Sequence, residues 1–278
     1  MKRFALIGEK LGHSYSKRWF EDLFAREGLQ DYSYTLVEMS SLEGVRDWVR
    51  EEGISGFNVT VPYKQKIIPY LDELDETAAA IGAVNCVTVC WDAACRVRPN
   101  QAIKLIGHNT DAPAFQQTLE HALSYPVAQS RSHPVTQPLM HSFILGTGGA
   151  ARAVAYALTQ MGIKYIFVSR TPEKHENAIS YQQLFTSHLW LHKVADHSSP
   201  LTLIVNATPV GMYPDVDRSP LELNDFQFSI SNSQFVYDLI YNPSPTRLLR
   251  EAAALGAQTK DGLEMLHRQA ELSWKWFQ

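Results

Sequence analysis

Two short motifs place a lysine and a carboxylate where they could handle a proton. Lys64 comes just after the strand-like run GFNVTV, and Asp111 ends the motif GHNTD. A lysine can stabilise negative charge that develops on an oxygen atom and can deliver a proton to that atom. A structural salt bridge would use the same two residue types, but two residues at strand-to-helix junctions in separate motifs favour a catalytic pair. The pattern therefore predicts Lys64 and Asp111 as the catalytic unit.

The element that holds Lys64 bears on its charge. Pro62 suits the first position of a helix, so a helical run is expected from Pro62 to near Pro69, with Lys64 in its first turn. The positive end of that helix would disfavour the ammonium, whereas Asp111 would favour it. These two effects on the charge of Lys64 oppose each other, and the sequence does not decide which of them is larger.

Further polar residues flank the strands of the first half of the chain. Ser14 and Ser16, in the motif GHSYSK, lie just before a predicted helix, where hydroxyl and backbone N–H groups can hold a carboxylate. Capping of that helix would explain either serine but not both. Thr60 lies near the end of one predicted strand and Asn85 at the start of the next, so they add a hydroxyl and an amide to this polar set.

The second half contains a glycine-rich loop between a strand and a helix, in FILGTGGAARAVAYAL. Its spacing, G-x-G-x-x-A, is typical of a loop that binds a dinucleotide: glycines permit a tight turn and close approach to a pyrophosphate, and a small third residue lets helix and strand pack closely. A glycine turn without a ligand is the alternative. The residues predicted to hold the pyrophosphate are Gly146, Thr147, Gly148, Gly149 and Ala150.

The residues after the next strand indicate which dinucleotide binds. An NAD site usually has an acidic residue there for the ribose hydroxyls. This chain instead has Ser169, Arg170, Thr171 and Lys174, whose two cations and two hydroxyls suit a 2′-phosphate. The alternative is a basic helix start on the surface that binds no ligand. It would place these cations at the positive end of the helix dipole, which is unfavourable. NADP is therefore favoured over NAD.

The composition is that of a globular protein with a large core. Its 278 residues favour two domains, at roughly 150 residues each, and its 45% hydrophobic and 19% charged content excludes a disordered chain. The net charge of −4 provides no global positive field for nucleic acid or an anionic membrane. Three cysteines, and no recognisable signal peptide or spanning run, predict a cytoplasmic protein. No metal site is expected from the clustered cysteines and histidines, which are Cys86, Cys90, Cys95, His188, His192 and His197.

Strand-like and helix-like runs alternate along the chain, which predicts an α/β fold with largely parallel sheets. Strands are expected at 4–7, 32–38, 56–61, 84–89, 143–145 and 165–168, and helices at 15–24, 42–49, 74–81 and 115–123. The segment 124–141 carries three prolines among polar residues, so it is predicted to be a surface loop.

Nine motifs, in order and over nearly the whole chain, resemble the shikimate dehydrogenase family, which also includes quinate/shikimate dehydrogenases. They are GHSYSK, NVTVPYK, DELDETAAAIGAVN, GHNTD, GTGGAARA, SRT, NATPVGM, DLIYNPSPTRLL and DGLEMLHRQA. The resemblance implies a substrate-binding α/β domain at 1–111, a Rossmann-like NADP-binding domain at 112–244, and C-terminal helices at 245–278 that pack back on the first domain. It also implies a monomeric or homodimeric enzyme of aromatic amino-acid biosynthesis that reversibly reduces 3-dehydroshikimate to shikimate with NADPH.

The resemblance further implies a role for each matched residue. Ser14 and Ser16, helped by Tyr241, would bind the substrate carboxylate. The ring hydroxyls and the reacting oxygen would be held by Thr60, Lys64, Asn85, Asp111 and Gln269. The nicotinamide would be lined by Asn206, Ala207, Thr208, Leu239 and Gly262.

The chain departs from the family pattern at two places. After Asp111 the family usually has a glycine-bearing stretch, where this chain has Ala112, Pro113 and Ala114, so the next helix is free to start elsewhere. Ser169 stands where the family often has asparagine, but serine still donates to phosphate.

Three alternatives are a quinate/shikimate dehydrogenase that uses NAD, a catalytically silent ligand sensor of this fold, and a methylenetetrahydrofolate dehydrogenase. Retention of Lys64 and Asp111 argues against the sensor, and the serine pair argues against the folate enzyme.

Overall fold

The computed structural model describes residues 1–12, 14–91, 103–124, 139–186, 201–223 and 234–278. The chain divides into two compact units, one of residues 1–114 with 267–278 and the other of residues 115–266. The fold is α/β, as the alternation of strands and helices predicted. No helix in the described ranges is long and apolar enough to cross a membrane.

The strands are β1 (Lys2–Gly8), β2 (Tyr32–Glu38), β3 (Ile54–Val59), β4 (Glu73–Leu74), β5 (Cys86–Cys90), β6 (Lys104–His108), β7 (Leu139–Leu145), β8 (Tyr165–Ser169), β9 (Ala178–Ser180), β10 (Leu201–Asn206), β11 (Gln234–Asp238) and β12 (Gln258–Lys260). The helices are α1 (Tyr15–Arg26), α2 (Val45–Glu52), α3 (Glu76–Ile81), α4 (Asp111–Ser124), α5 (Gly149–Gln160), α6 (Tyr181–Thr186), α7 (Arg247–Ala254) and α8 (Leu263–Phe277).

The first unit is built on a six-stranded sheet of order β2-β1-β3-β5-β6-β4, in which β5 is antiparallel to both of its neighbours. Phe4 of β1 stacks on Phe277 of α8, with ring centroids 4.9 Å apart, and Phe24 of α1 packs on Trp274 at 5.5 Å. A side chain at Gly56 would lie 2.6 Å from the Phe277 ring, so the glycine makes room for it. Aromatic packing therefore fixes the end of α8 on this sheet.

The second unit is built on a six-stranded parallel sheet of order β12-β11-β10-β7-β8-β9. Helix α7 contributes Leu248, Leu249 and Ala252 to the core of this unit, together with Phe143 and Val236 of the strands. The sequence analysis expected the chain to return to the first unit at residue 245. Because α7 and β12 belong to the second unit, it returns at residue 267.

The helix expected to begin at Pro62 is absent: residues 61–67 form turns, followed by a short 3₁₀ helix at Ile68–Tyr70. The carbonyl of Lys64 accepts from the N–H of Val84, 2.7 Å away, so a neighbouring segment takes a hydrogen bond that a continuing helix would need. The argument that a helix dipole acts on Lys64 is therefore wrong.

Cys86 and Cys90 are buried, and burial raises the pKa of the Cys86 thiol, as expected for core cysteines. Cys95, His188, His192, His197 and the loop residues 125–138 lie outside the described residues.

Candidate active site

The predicted substrate residues of the first unit come from segments that meet at one edge of its sheet. Strands β1 and β3 are parallel, so the loops that follow them, with Ser14 and Thr60, leave the same edge. Cys86, at the start of β5, pairs with Asn58 near the end of β3 and with His108 at the end of β6. The segments that carry Asn85 and Asp111 therefore reach this edge too.

Lys64 and Asp111 form an ion pair, with the Lys64 Nζ atom 2.6 Å from Asp111 Oδ2. The side chains are 16% and 7% exposed, respectively. The other carboxylate oxygen, Oδ1, accepts from Asn85 Nδ2 at 2.9 Å. Among the described residues the ammonium has no further hydrogen-bond partner, so two of its three N–H bonds are free to contact a ligand.

Asn85 connects this pair to two other segments. Its Oδ1 accepts from the Thr110 N–H at 2.7 Å, which fixes the orientation of the amide. Its Nδ2 lies 2.9 Å from the Thr110 hydroxyl and 3.4 Å from Gln269 Oε1. Gln269, 184 residues away in the sequence, thus lies beside Asn85, as its predicted role requires.

A buried polar cluster behind these residues was not predicted. Ser273 is fully buried, and its hydroxyl donates to the Gln269 carbonyl, accepts from Asn58 Nδ2 at 2.8 Å and lies 3.3 Å from the Thr110 hydroxyl. Tyr34 donates to Asn58 Oδ1 at 2.8 Å. The sequence feature that could have indicated this cluster is the four-residue spacing of Gln269 and Ser273, which places them on one face of a helix.

The two serines differ in their surroundings. Ser14 is the N-cap of α1, and its hydroxyl accepts from the Ser16 N–H at 3.3 Å. Ser16 is only 8% exposed, and its hydroxyl has no hydrogen-bond partner within the described part of the chain. Helix capping therefore accounts for Ser14 and leaves the Ser16 hydroxyl available to a ligand.

The glycine loop has the shape that a pyrophosphate needs. Gly146 has φ +97°, and a side chain there would lie 3.0 Å from Thr208. Gly148 is exposed, and a Cβ added to it would meet no atom within 4 Å. No side chain caps α5. An open backbone cradle with free N–H groups at a helix start fits an anionic phosphate.

The residues predicted for the 2′-phosphate follow β8 directly. Arg170, Thr171 and Lys174 are exposed, and neither cation forms an ion pair with another described residue. Ser169 is buried, and its hydroxyl accepts from the Thr171 N–H at 3.1 Å, so Ser169 shapes the turn. Exposed, unpaired cations at this edge fit a phosphate monoester.

Asp238 begins the motif DLIYNPSPTRLL but was given no role from the sequence, and it organises the residues predicted for the nicotinamide side. It is fully buried and accepts from Asn206 Nδ2 at 3.0 Å, the Ile240 N–H at 3.0 Å and the Thr246 hydroxyl at 2.7 Å. Burial raises the pKa of Asp238 to about 6, although these three donors lower it. Asp238 thereby ties the segments after β10 and β11 to the start of α7.

The four other residues predicted for the nicotinamide side lie in segments close to Asp238. Asn206 Oδ1 accepts from the Thr208 N–H and hydroxyl, which folds the turn containing Ala207. A Cβ at Gly262 would lie 2.0 Å from the Leu239 carbonyl oxygen, so only glycine allows this approach. Tyr241 also follows β11, in the second unit.

A parallel sheet with a glycine phosphate loop, together with a separate unit that holds a buried Lys–Asp–Asn cluster, defines a two-domain dehydrogenase that uses a nicotinamide dinucleotide. Residues 6–87 match the family described as the shikimate dehydrogenase substrate binding domain. A relative named shikimate dehydrogenase (NADP(+)) from Shouchella clausii is 38% identical over 280 residues, 98% of this chain and 91% of the relative. The chain belongs to the shikimate dehydrogenase family.

Solved structures of the family have the same fold. Shikimate dehydrogenase 1 from Peptoclostridium difficile is 33% identical, with a TM-score of 0.77, over 100% of this chain and 91% of that chain. Shikimate 5-dehydrogenase from Thermus thermophilus, in complex with NADP(H) and shikimate, is 30% identical, with a TM-score of 0.74, over 100% and 93% of the two chains.

Proposed function

We propose that this protein catalyses the reversible, NADPH-dependent reduction of 3-dehydroshikimate to shikimate, a step of the shikimate pathway. The observation that carries the proposal is the Lys64–Asp111 ion pair held by Asn85, in the unit that matches the family's substrate-binding domain. A binding protein gains little from such a pair, because two charges must lose water to form it. An enzyme that transfers a proton needs both the ammonium and the carboxylate of this pair.

Bound NADPH supplies the hydride, and the chain's own residues manage the proton and the oxygen. The Lys64 ammonium, with two free N–H bonds, donates to the ketone oxygen and gives up a proton as negative charge develops there. In the reverse direction the Lys64 amine takes the proton from the hydroxyl. Asp111 keeps Lys64 in place through the 2.6 Å bond and accepts from a ring hydroxyl.

The remaining residues orient the ring and bind the cofactor. Thr60, Asn85 and Gln269 offer hydroxyl and amide groups to the ring hydroxyls. The substrate carboxylate is bound by Ser14, Ser16 and Tyr241. The pyrophosphate binds to the glycine loop at 146–150, the 2′-phosphate to the basic turn at 169–174, and the nicotinamide beside the segments at 206–208, 239 and 262.

Initial-rate assays with shikimate and quinate, each with NADP and NAD, test the proposal. We expect the highest kcat/KM for the pair shikimate and NADP. A higher kcat/KM with quinate and NAD would replace it with the quinate-specific alternative. Binding of shikimate and NADP without turnover would identify a ligand sensor.

A further inference from the structure

His175 lies beside the residues proposed to bind the cofactor phosphates, although no motif includes it. Strands β7 and β8 are adjacent and parallel, with Leu145 paired to Val168, and the Gly146 N–H donates to the Val168 carbonyl at 2.9 Å. The glycine loop and the loop after β8 therefore leave the same edge of the sheet, side by side. His175 lies in the second of these loops, directly after the 3₁₀ turn Pro172–Lys174.

One side-chain hydrogen bond joins His175 to the glycine loop. The Nε2 atom of its ring lies 3.1 Å from the Thr147 hydroxyl. A threonine hydroxyl can donate to an unprotonated ring nitrogen, which leaves the proton on Nδ1. Within the described residues Nδ1 has no hydrogen-bond partner, and the ring is half-exposed. In this tautomer the imidazole is held by Thr147 through Nε2 and can donate a hydrogen bond from Nδ1.

The charges around His175 favour an anion. Arg170 and Lys174 are exposed and unpaired, as described above. The loop's two acids, Glu173 and Glu176, are also exposed and form no ion pair with described residues, so neither carboxylate occupies the donor groups of these cations. A ring N–H in the same loop as two unpaired cations adds a donor to a set suited to the three terminal oxygens of a phosphate monoester.

We propose that His175 is a further ligand of the 2′-phosphate of NADP, with Nδ1–H donating to the phosphate while Nε2 accepts from Thr147. This inference rests on the proposed function only in taking NADP as the cofactor. It assigns the preference for NADP over NAD to the His175 ring as well as to the two neighbouring cations.

Nucleotide binding without shikimate tests this role, so the result is independent of catalytic activity. Calorimetric titrations would compare adenosine 2′,5′-bisphosphate with 5′-AMP, which lacks the 2′-phosphate. For His175→Ala we expect about tenfold weaker binding of the bisphosphate, as for one lost hydrogen bond to a charged group, and less than twofold weaker binding of 5′-AMP. His175→Asn retains an N–H near Nδ1 and should bind the bisphosphate at least threefold more tightly than His175→Ala.

Lys164→Ala is the matched control for charge in the same unit. Lys164 is exposed and precedes β8, so it lies at the opposite end of that strand from His175, and its loss should change neither titration by more than twofold. Unchanged melting temperatures without nucleotide would show that the variants fold. Equal weakening of bisphosphate and 5′-AMP binding in His175→Ala, or no weakening, would overturn the assignment. Absence of shikimate oxidation by the wild-type protein would instead refute the proposed function alone.

Discussion

Replacement of Lys64 by alanine tests the catalytic pair through both turnover and stability. Lys64 stabilises an oxygen whose negative charge exists only while the hydride moves. Its replacement should therefore lower kcat and leave substrate binding nearly unchanged. General acid–base catalysis contributes roughly 10²–10⁴-fold, and kcat of Lys64→Ala should fall by that factor. Asp111→Asn should also lower kcat and should weaken shikimate binding, because Asp111 accepts from a ring hydroxyl.

The stability of the same variants follows from the burial of the pair. Lys64→Ala leaves the 7% exposed Asp111 carboxylate without its partner at 2.6 Å, with only the Asn85 amide as a side-chain donor. Removal of one member of a buried ion pair costs roughly 3–5 kcal/mol, and the bond to Asn85 places the expected loss near the lower end, at about 3 kcal/mol. The double variant Lys64→Ala/Asp111→Asn has no unpaired charge, so it should be more stable than Lys64→Ala alone.

The assay is a double-mutant cycle over the four forms. It measures kcat at saturating shikimate and NADP, and the free energy of unfolding from urea titration. Because the two residues share one task, the double variant should lose much less kcat than the product of the single losses. Strictly multiplicative losses, or near-normal turnover of Lys64→Ala, would refute the catalytic assignment. A double variant less stable than Lys64→Ala would refute the argument from burial.

Three more predictions concern cofactor choice, substrate binding and pH. Arg170→Ala should weaken NADP binding far more than NAD binding, by about 1.5–3 kcal/mol, because only NADP carries the 2′-phosphate; equal weakening of both in direct titrations would contradict this. Ser16→Ala should raise the KM for shikimate and leave NADP affinity and melting temperature unchanged, whereas Ser14→Ala should also lower the melting temperature, because Ser14 caps α1; a normal KM in both variants would exclude the carboxylate role. The pKa of Asp238 is raised in the folded protein from 3.8 to about 6, so its protonation favours folding at low pH, and this contribution is lost as pH rises through 6. Between pH 4 and 7 the wild type should therefore lose about 2 kcal/mol of unfolding free energy relative to Asp238→Asn, as measured by urea titration; parallel pH profiles would show that Asp238 does not titrate in this range.

Local features were predictable from the sequence where neighbours in the chain supply the interaction. The glycine loop at 146–150 is such a case, because its turn and the following helix depend on glycine conformations and on helical periodicity within a dozen residues. The cap at Ser14 and the cations after β8 are equally local. The α/β class followed from the alternation of strands and helices for the same reason.

The tertiary structure alone decided what depends on partners distant in the chain. A helix at Pro62 was locally reasonable, but the Lys64 carbonyl bonds to Val84 instead. The boundary at residue 267 depends on which sheet buries α7, and helical periodicity does not identify the sheet.

Within the sites, the sequence alone identified chemically capable residues, and the fold decided which of them touch. Without the family resemblance, no local pattern links Gln269 to Asn85, 184 residues away, or His175 to Thr147, 28 residues away. Nor does any local pattern show that Asn206, Ile240 and Thr246 all donate to Asp238. Buried polar groups must find partners wherever the folded chain brings them together, so their pairing is a property of the packed sheet and not of sequence spacing.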